Sequence, residues 1–220
     1  GNVRIDKPGL YWYRFELDTE LGIFFKRKGE SEDYQLTVYS KTFRTPSALK
    51  GGTIYHIFVD RFCKGEDPGV VPHGVQKGWN EPPTLRDPDG VYRANDFYGG
   101  NLQGIIDKLD YLESLRVSAI YLSPTFESSS NHRYDTGDYL KIDPLLGTED
   151  KFRELVERAA ERGISVILDG VFNHTGADSR YFNKFGRYDS VGAYQSKSSK
   201  YYDWYRFYDW PDGYDSWWGV

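Results

Sequence analysis

The sequence predicts an α/β fold built on a parallel sheet, with a small antiparallel β-segment in front of it. Three short apolar runs, at residues 53–59, 117–122 and 164–168, have the length and composition of buried strands. Apolar residues recur at helical spacing before the second run and again before the third. Strands and helices that alternate in this order favour right-handed crossovers within one parallel sheet.

The N-terminal segment has the two-residue period of a half-buried strand at residues 10–17. Further strands are predicted at residues 23–26 and 34–39, and the short connections indicate an antiparallel meander, too small for a complete sandwich. Pro46 and the glycine pair at 51 and 52 place a linker at residues 41–52. The side chains predicted to share one face of the first strand are Tyr11, Tyr13, Phe15 and Leu17.

The first helix of the α/β part is predicted to begin after Asn101, a residue type that caps helix N-termini well. It follows a glycine- and proline-rich stretch, residues 63–100, that has no clear period. It leads into the strand at 117–122, which Ser123 and Pro124 end. The apolar residues at helical spacing are Leu102, Ile105, Ile106, Leu109, Leu112 and Leu115.

The second helix is predicted to begin with Thr148 as its N-cap, because two acidic residues follow in the first turn. Gly163 fits the position just past its C-terminus, and the strand at 164–168 comes next. Residues 177–220 are rich in Tyr and Trp without a strong period, so we expect a long excursion from the sheet. The residues predicted to face inward from this helix are Phe152, Leu155, Val156, Ala159 and Ala160.

The composition argues against nucleic-acid and membrane partners and is compatible with sugar binding. The net charge of −5 comes without a sizeable basic run, which argues against a nucleic-acid surface. No stretch approaches the ~18 apolar residues of a membrane span, and the first ten residues lack a signal-peptide segment, so no membrane partner and a cytoplasmic location are expected. The single Cys63 excludes an intramolecular disulfide. The 17% aromatic content suits sugar stacking, although core packing is the commoner use.

Polar residues follow the third predicted strand of the sheet. Asp169 comes directly after the apolar run, and Asn173 and His174 stand a few residues further on. The carboxyl ends of parallel strands meet at one edge of a sheet, where polar groups usually serve chemistry. An Asp at a strand end can equally cap a loop, and a lone His is more often structural. On these residues alone, both interpretations stay open.

Five segments, in order and at consistent spacings, resemble the α-amylase family of glycoside hydrolases, in particular the branch of neopullulanases, cyclomaltodextrinases and maltogenic amylases. One such segment would be weak evidence, whereas five in register are hard to obtain by coincidence. The segments are Ile54–Phe62, Phe97–Ile105, Ala119–Pro124, Asn131–Tyr139 and Asp169–His174.

The resemblance implies a partial (β/α)8 TIM barrel preceded by part of an antiparallel β-sandwich. Residues 1–45 would be the C-terminal part of the sandwich domain, residues 46–174 the first three β/α units, and residues 175–220 a truncated loop domain inserted after the third strand. The parent enzyme would hydrolyse α-1,4-glucosidic bonds in cyclodextrin, pullulan or starch with retention of configuration. Oligosaccharides of α-glucan are therefore the expected partners.

By the same resemblance, four residues bind or orient substrate. His174 would donate to sugar hydroxyls at the cleavage subsite, a role that suits imidazole because one nitrogen donates while the other accepts. Tyr134 would stack under the reacting sugar, and Asp169 would orient other groups without being the nucleophile. Asn173 belongs to the same substrate-binding set. The candidate outer sugar platforms, for which packing inside the loop domain is an equal alternative, are Trp204, Trp217 and Trp218.

The sequence lacks the family's reacting carboxylates. The nucleophile motif Gly-x-Arg-x-Asp, the general acid after the fifth strand and the Asn-His-Asp motif are absent, and residues 186–189 have the Gly one position too close. We therefore expect the nucleophile and the general acid beyond Val220, no catalytic residue in this chain, and no activity of the chain alone. Activity of the chain alone would point instead to Asp135, Asp169 and Asp189.

Calcium, which enzymes of this branch often bind, is not expected here. After the first strand Lys64 brings no lone pair to a cation, and after the glycine pair Asn101 supplies a neutral oxygen in place of a carboxylate. In some relatives a residue like Asn173 contributes to a separate calcium site. We predict no metal ligand set and no cofactor.

Two other functions stay open at this stage. One is a non-catalytic protein that binds α-glucan through the same subsite. The other is a structural or dimer-forming piece, in which copies associate through the strands of residues 10–39 or through exposed barrel edges. Three parallel strands cannot close a barrel, and they leave edges unpaired.

Overall fold

A computed structural model describes residues 3–26, 28, 32–65, 71, 73–84, 90 and 95–217. The chain divides into two compact units, Gly1–Pro46 and Ser47–Val220. Each helix in the described ranges is too short or too polar to cross a lipid bilayer.

The first unit consists of two antiparallel ribbons of two strands each, and the first strands of the two ribbons follow one another directly in the sequence. Its strands are β1 (Gly9–Tyr13), β2 (Phe15–Thr19), β3 (Gly22–Lys26) and β4 (Tyr34–Val38). β2 pairs with β3, whereas β4 returns to pair with β1. The predicted meander is therefore wrong, because β4 does not add to β3, and the predicted strand at 10–17 is interrupted at Arg14.

The side chains of this unit form an aromatic cluster that stays largely exposed. Tyr13 stacks on Tyr34 with ring centroids 5.3 Å apart, and Phe15 contacts Tyr13 edge-on at 5.6 Å. Every residue of the four strands is exposed or half-buried. Two-stranded ribbons are marginally stable in water. The four strands therefore bury little apolar surface among themselves.

The second unit contains a parallel sheet with helices between its strands. Its elements in chain order are β5 (Thr53–Ile57), α1 (Val59–Phe62), β6 (Val75–Gln76), β7 (Asp96–Phe97), α2 (Leu102–Asp107), α3 (Leu109–Ser114), β8 (Val117–Leu122), β9 (Phe126–Ser128), β10 (Thr136–Ile142), α4 (Glu149–Glu161), β11 (Ser165–Leu168), a 3₁₀ helix (Tyr202–Trp204), β12 (Phe207–Asp209) and β13 (Gly213–Tyr214).

The sheet has the order β11-β8-β5, and both pairings are parallel. The prediction of a parallel arrangement is thus confirmed. The strand predicted at residues 53–59 ends at Ile57, and Val59 begins the short helix α1. The register places His56 of β5 and Ile167 of β11 on either side of Tyr121 in β8.

The predicted helix boundaries depend on local caps, and the structure confirms the caps. Asn101 Oδ1 accepts from Gly104 N at 2.9 Å, and Thr148 Oγ1 accepts from Lys151 N at 3.1 Å. Gly163 has a φ of 69°, the left-handed conformation expected after a helix. The first predicted helix is split at Lys108 into α2 and α3. Two residues predicted to face inward from the second helix, Val156 and Ala160, are exposed instead, and so is Leu115 of the first apolar series.

The hydrophobic core lies between one face of the sheet and the helices. The opposite face of the sheet is open, since Ile54 is 52% exposed and His56 is also exposed. His56 on that face is therefore accessible, and Asp169 at the carboxyl end of the sheet is partly so. The buried core includes Ile57, Ile120 and Leu122 from the strands, Leu102, Ile105, Leu109 and Leu112 from α2 and α3, and Leu155 and Ala159 from α4.

The segment after β11 has a small aromatic core of its own. Phe182 is buried at its centre, with ring centroids of Tyr205 and Tyr214 at 4.9 and 4.8 Å. This segment contains little regular structure, in line with its lack of period. The antiparallel pair β9–β10, by contrast, lies where no strand was predicted.

Candidate functional site

The candidate site begins at the carboxyl edge of the parallel sheet, where β8 and β11 are each followed by a polar side chain. Asp169 follows β11, and its N–H donates to Leu122 O of β8 at 3.1 Å. Ser123 follows β8, and its N–H donates to Ile57 O of β5 at 3.0 Å. These backbone hydrogen bonds between neighbouring strands fix the positions of Asp169 and Ser123, because strand pairing determines where each residue leaves the sheet.

Two predicted site residues, Tyr134 and Asp169, are in direct contact. The Tyr134 hydroxyl donates to Asp169 Oδ2 at 2.9 Å. Burial, reinforced by the Asp169 carboxylate, also raises the pKa of a second tyrosine, Tyr121 of β8. Burial, reinforced by the hydrogen bond to Asp169, raises the pKa of Tyr134 to about 12. The Tyr134 hydroxyl is therefore protonated at neutral pH and available as a donor to the carboxylate.

The loop before Tyr134 is held by buried polar contacts. Asp135 accepts from Ser128 Oγ at 2.7 Å and from Ser129 Oγ at 3.0 Å, and Ser130 Oγ is a third donor. Arg133 has a φ of 62°, which a non-glycine residue adopts only at a cost, and its Nε donates to Asp143 Oδ2 at 2.6 Å. This loop geometry presents Tyr134 with 37% of its surface exposed.

The other two predicted residues, His174 and Asn173, line a separate part of the site. Asn173 Nδ2 lies 3.2 Å from His174 Nδ1, and the His174 ring stacks on Trp217 at 6.2 Å with a 19° interplanar angle. The Tyr139 hydroxyl donates to His174 O at 2.9 Å, which fixes the backbone at this point. Both residues thus face the cavity described next, whereas Tyr134 and Asp169 are not among its lining residues.

A cavity of about 730 Å³ lies beside β10 and the segment after β11, and aromatic side chains dominate its lining. Two of the three candidate platforms belong to it, since Trp204 and Trp217 line it and are 60% and 53% exposed. Trp204 stacks on Tyr181 at 5.2 Å, so it also has the packing role left open above. Trp218 lies outside the described residues. The aromatic lining residues are Tyr139, Phe172, Phe182, Tyr201, Tyr205 and Tyr214, in addition to Tyr181, Trp204 and Trp217.

Asn101 and Lys64, the residues discussed above in connection with calcium, do not fit that ion. Asn101 Oδ1 accepts from two backbone amides, Gly104 N at 2.9 Å and Gly65 N at 3.1 Å, so amide hydrogens occupy the positions that a cation would need. Lys64 is exposed beside it. Across the ranges that the structure describes, His, Cys, Asp and Glu form no group of three that could hold a metal ion.

Sequence reasoning missed three side chains that complete the site. His56 Nε2 lies 3.0 Å from Ser123 Oγ, and Ser123 is buried at the end of β8. Tyr121 contacts the His56 ring edge-on at 5.4 Å. The alternation of side chains along β5 and β8 is the signal that could have placed His56 and Tyr121 on one face. Only the parallel register, however, brings them together.

The parallel sheet with polar residues at its carboxyl edge defines the chain as an α/β protein with its candidate site at that edge. The chain belongs to the α-amylase family. The family model described as "Alpha amylase, catalytic domain" matches residues 56–217. Among individual relatives, an amylopullulanase from Thermoanaerobacter thermohydrosulfuricus is 44% identical over 99% of this chain and 17% of its own length. Neopullulanase 2 from Thermoactinomyces vulgaris is 43% identical over 78% of this chain and 27% of its own length.

Solved structures agree with the family assignment. The cyclic α-maltosyl-(1→6)-maltose hydrolase from Arthrobacter globiformis, in complex with the compound of that name, is 33% identical with a TM-score of 0.65, covering 79% of this chain and 37% of that one. The type III pullulan hydrolase from Thermococcus kodakarensis is 30% identical with a TM-score of 0.65, covering 96% and 39%. The chain spans 13–20% of the length of the amylopullulanases that it matches.

Proposed function

We propose that this chain is part of an α-glucan hydrolase and that its residues bind and orient the sugar. The parent enzyme would cleave α-1,4-glucosidic bonds in cyclodextrin, pullulan or starch with retention of configuration. The observation that carries this proposal is the Tyr134–Asp169 hydrogen bond at 2.9 Å. It holds a partly exposed ring at the carboxyl edge of a parallel sheet, and a fixed ring offers an apolar face to a sugar.

His174 and Asn173 would supply the polar contacts of the same binding surface. Both line the aromatic cavity, and the His174 ring is stacked on Trp217. A site with apolar walls and a few placed polar groups is typical of small-molecule recognition. In the proposal, His174 donates to sugar hydroxyls, Tyr134 stacks under the sugar, and Asp169 orients Tyr134.

The proposal includes the domain assignment given above. Residues 46–174 would form the first three β/α units of a TIM barrel, residues 175–220 an inserted loop domain, and residues 1–45 part of a β-sandwich. Support comes from the order of the three parallel strands, each followed by helix or loop, and from the range of the family match.

In this proposal the chain alone does not cleave its substrate. A retaining glycosidase needs two carboxyl groups about 5 Å apart, one to attack and one to protonate the leaving oxygen. Asp169 accepts from Tyr134, and the Asp135 side chain accepts from three serines, so each has an orienting role in the fold. The nucleophile and the general acid would come from another part of the parent enzyme.

The first experiment measures maltotriose binding by the chain in a calorimeter, together with release of reducing ends from β-cyclodextrin and pullulan. We expect binding without release, and weaker binding in His174→Ala and Tyr134→Ala. Tyr111→Ala is the matched control, because Tyr111 lies on α3 and is 49% exposed. Failure of the wild-type chain to bind would contradict the proposal. Release of reducing ends would contradict the division of roles and direct attention to Asp135, Asp169 and Asp189.

The aromatic lining of the cavity also supports a second candidate, a non-catalytic α-glucan-binding protein. The two functions differ in one measurement. If the hydrolase proposal is correct, the full-length protein encoded by the gene releases reducing ends from the glucan. If the protein is a non-catalytic binding protein, the full-length protein binds maltotriose and releases no reducing ends.

A further inference from the structure

We propose that His73 is a positioning residue, whose imidazole connects the loop that presents Tyr134 to the segment after β11. One ring nitrogen contacts Ser129 in that loop, and the other contacts Arg187 in that segment. The inference deepens the proposed function, because it rests on Tyr134 being a sugar-binding ring. It identifies a residue that neither the family motifs nor the cavity lining includes, in the glycine- and proline-rich stretch before α2.

The hydrogen bonds at the two ends of the His73 ring require the same tautomer. Ser129 O is a carbonyl oxygen and can only accept, so His73 Nε2, which lies 2.8 Å away, must donate to it. The Arg187 guanidinium can only donate, so His73 Nδ1, which lies 3.3 Å from Nη2, must accept from it. His73 is therefore neutral and carries its proton on Nε2. Each of the two contacts leads to this form independently of the other.

Strand pairing and ring packing place the imidazole between its two partners. His73 enters β6 through Gly74, which has a φ of 90°, and a Cβ there would lie 2.6 Å from Asn95 O. β6 pairs with β7, and the fully buried Phe97 of β7 contacts the His73 ring edge-on, with centroids 6.2 Å apart. The position of the ring is thus decided before it meets Ser129 or Arg187.

The Arg187 guanidinium is held in turn by an ion pair. Its Nη1 donates to Asp178 Oδ2, and the Asp178 side chain is only 15% exposed. Asp178 directly follows Ala177, which lines the aromatic cavity together with His174. The ion pair therefore directs the other guanidinium nitrogen at His73 from the segment that carries His174.

A short path leads from the His73 contact to the Tyr134 ring. Ser129 O accepts from His73, and Ser129 Oγ donates to Asp135 Oδ2 at 3.0 Å. Asp135 directly follows Tyr134 and is 8% exposed. Without His73 the Ser129 carbonyl loses this donor, and the loop loses its contact with the residue before β6. Ordering the loop would then reduce the affinity for a sugar.

The first test on the full 220-residue chain is the ¹⁵N spectrum of the imidazoles at neutral pH, which reports which ring nitrogen carries a proton. The chain has four histidines, so the His73 signals are assigned by their loss in His73→Gln. We expect the Nε2–H form, and a changed Nδ1 signal in Arg187→Met, where the donor to that nitrogen is gone. Arg153→Met is the matched control and should leave the signal unchanged, because Arg153 pairs with Glu149 on α4.

The second test is the maltotriose affinity of three His73 variants. His73→Ala removes both contacts, and we expect binding weaker by about three- to ten-fold, on the order of one hydrogen bond. His73→Gln keeps a donor at the Nε2 position and should stay within about two-fold of wild type, whereas His73→Asn keeps only an acceptor at the Nδ1 position and should bind as weakly as His73→Ala. Gln76→Ala is the control and should bind like wild type, because Gln76 is exposed in the same stretch and its side chain contacts Lys77 O and Phe97 O.

The outcomes separate this inference from the proposed function. An Nδ1–H or doubly protonated His73 in the wild type would overturn the inference, as would an unchanged Nδ1 signal in Arg187→Met. Wild-type affinity in His73→Ala, or equal affinities of the Gln and Asn variants, would also overturn it. If the wild-type chain binds no maltotriose, the proposed function fails on that result, and the two spectroscopic readings then decide whether His73 connects the two segments. Melting curves of each variant confirm that the compared proteins are folded.

Discussion

Arg133 and Asp143 form a buried ion pair, with Nε and Oδ2 2.6 Å apart and side chains only 2% and 4% exposed. Arg133 directly precedes Tyr134, and its Nη1 also donates to Asn131 O at 2.8 Å. Asp143 lies just past β10, where its Oδ1 accepts from Leu145 N at 2.8 Å. The ion pair therefore connects the loop that presents Tyr134 to the end of β10.

Replacing Arg133 with alanine should destabilise the second unit strongly. Removal of one partner leaves Asp143 buried without its counter-charge, which costs about 3–5 kcal/mol. Urea unfolding, followed by tryptophan fluorescence, measures the change in the free energy of unfolding. The matched control is Arg153→Ala, because Arg153 pairs with Glu149 at 2.8 Å on the exposed face of α4, where such pairs contribute about 0–1 kcal/mol. Equal effects of the two substitutions would mean that the Arg133 pair is not buried in solution.

The Tyr134–Asp169 contact leads to a prediction about sugar binding. Tyr134→Phe removes the hydroxyl and keeps the ring, so maltotriose should still bind, less tightly than to wild type. Tyr134→Ala also removes the ring face, and we expect a further loss of about three- to ten-fold from the missing aromatic contact. Calorimetric titration of both variants measures the difference. A Phe variant that binds as weakly as the Ala variant would assign the effect to the hydroxyl and not to stacking.

His132 makes the stability of this loop dependent on pH. Burial, the largest effect, lowers the pKa of His132 from 6.5, against an opposing contribution from Asp135. The neutral ring is the one that the fold uses, because Tyr134 N donates to His132 Nδ1 at 3.1 Å. A lowered pKa gives stability that is present above the unfolded value and is lost as pH falls through the folded value.

We therefore expect the melting temperature of the second unit to fall as pH drops below about 6.5. His132→Gln should flatten this dependence between pH 7 and pH 5. Melting temperatures of the wild type and the variant, taken at several pH values across that range, measure this difference. The decrease that both proteins share serves as the baseline. An identical pH profile in the variant would assign the acid sensitivity to other groups.

Sequence patterns predicted the features that are decided within a few residues. The caps at Asn101 and Thr148 depend on a side chain three residues from its donor, and Gly163 depends on one backbone conformation. The strand at 117–122 was placed correctly because a short apolar run between breakers has few alternatives. These local signals, together with the order of strands and helices, were enough to predict the parallel sheet.

The features that sequence reasoning missed depend on pairing between distant segments. Whether β4 joins β3 or β1 is decided by side-chain packing across strands, which a single strand pattern does not encode. His56 and Ser123 are 67 residues apart and meet through the register of β5 and β8. The family motifs identified both Tyr134 and Asp169 as site residues. Their contact could not be predicted from local sequence patterns, because the two residues are 35 positions apart.

One motif glycine is explained by close backbone approach, and this gives a prediction. A Cβ added at Gly104 in α2 would lie 2.0 Å from Cys63 O, so the backbone would have to move. Gly104→Ala should therefore lower the free energy of unfolding by about 1–3 kcal/mol, the range for overpacking. Gly78→Ala is the control, since its Cβ would meet only the flexible Glu81 side chain at 3.2 Å or more. Chemical unfolding of both variants measures the contrast, and a tolerated alanine at 104 would contradict the close contact with Cys63.

The aromatic core after β11 should make the second unit unstable at high pH. Burial raises the pKa of Tyr205 to about 12, and its hydroxyl lies 2.7 Å from Thr175 Oγ1. A raised pKa gives stability that is fully present below the unfolded value of 10.0 and is lost as pH rises towards the folded value. We expect the melting temperature to fall between about pH 10 and pH 12, and Tyr205→Phe to reduce that fall because phenylalanine does not ionise. Tyr208→Phe is the matched control, since Tyr208 is 76% exposed and near Tyr205 in the chain. If the two variants have the same alkaline profile, ionisation of Tyr205 is not what destabilises this core.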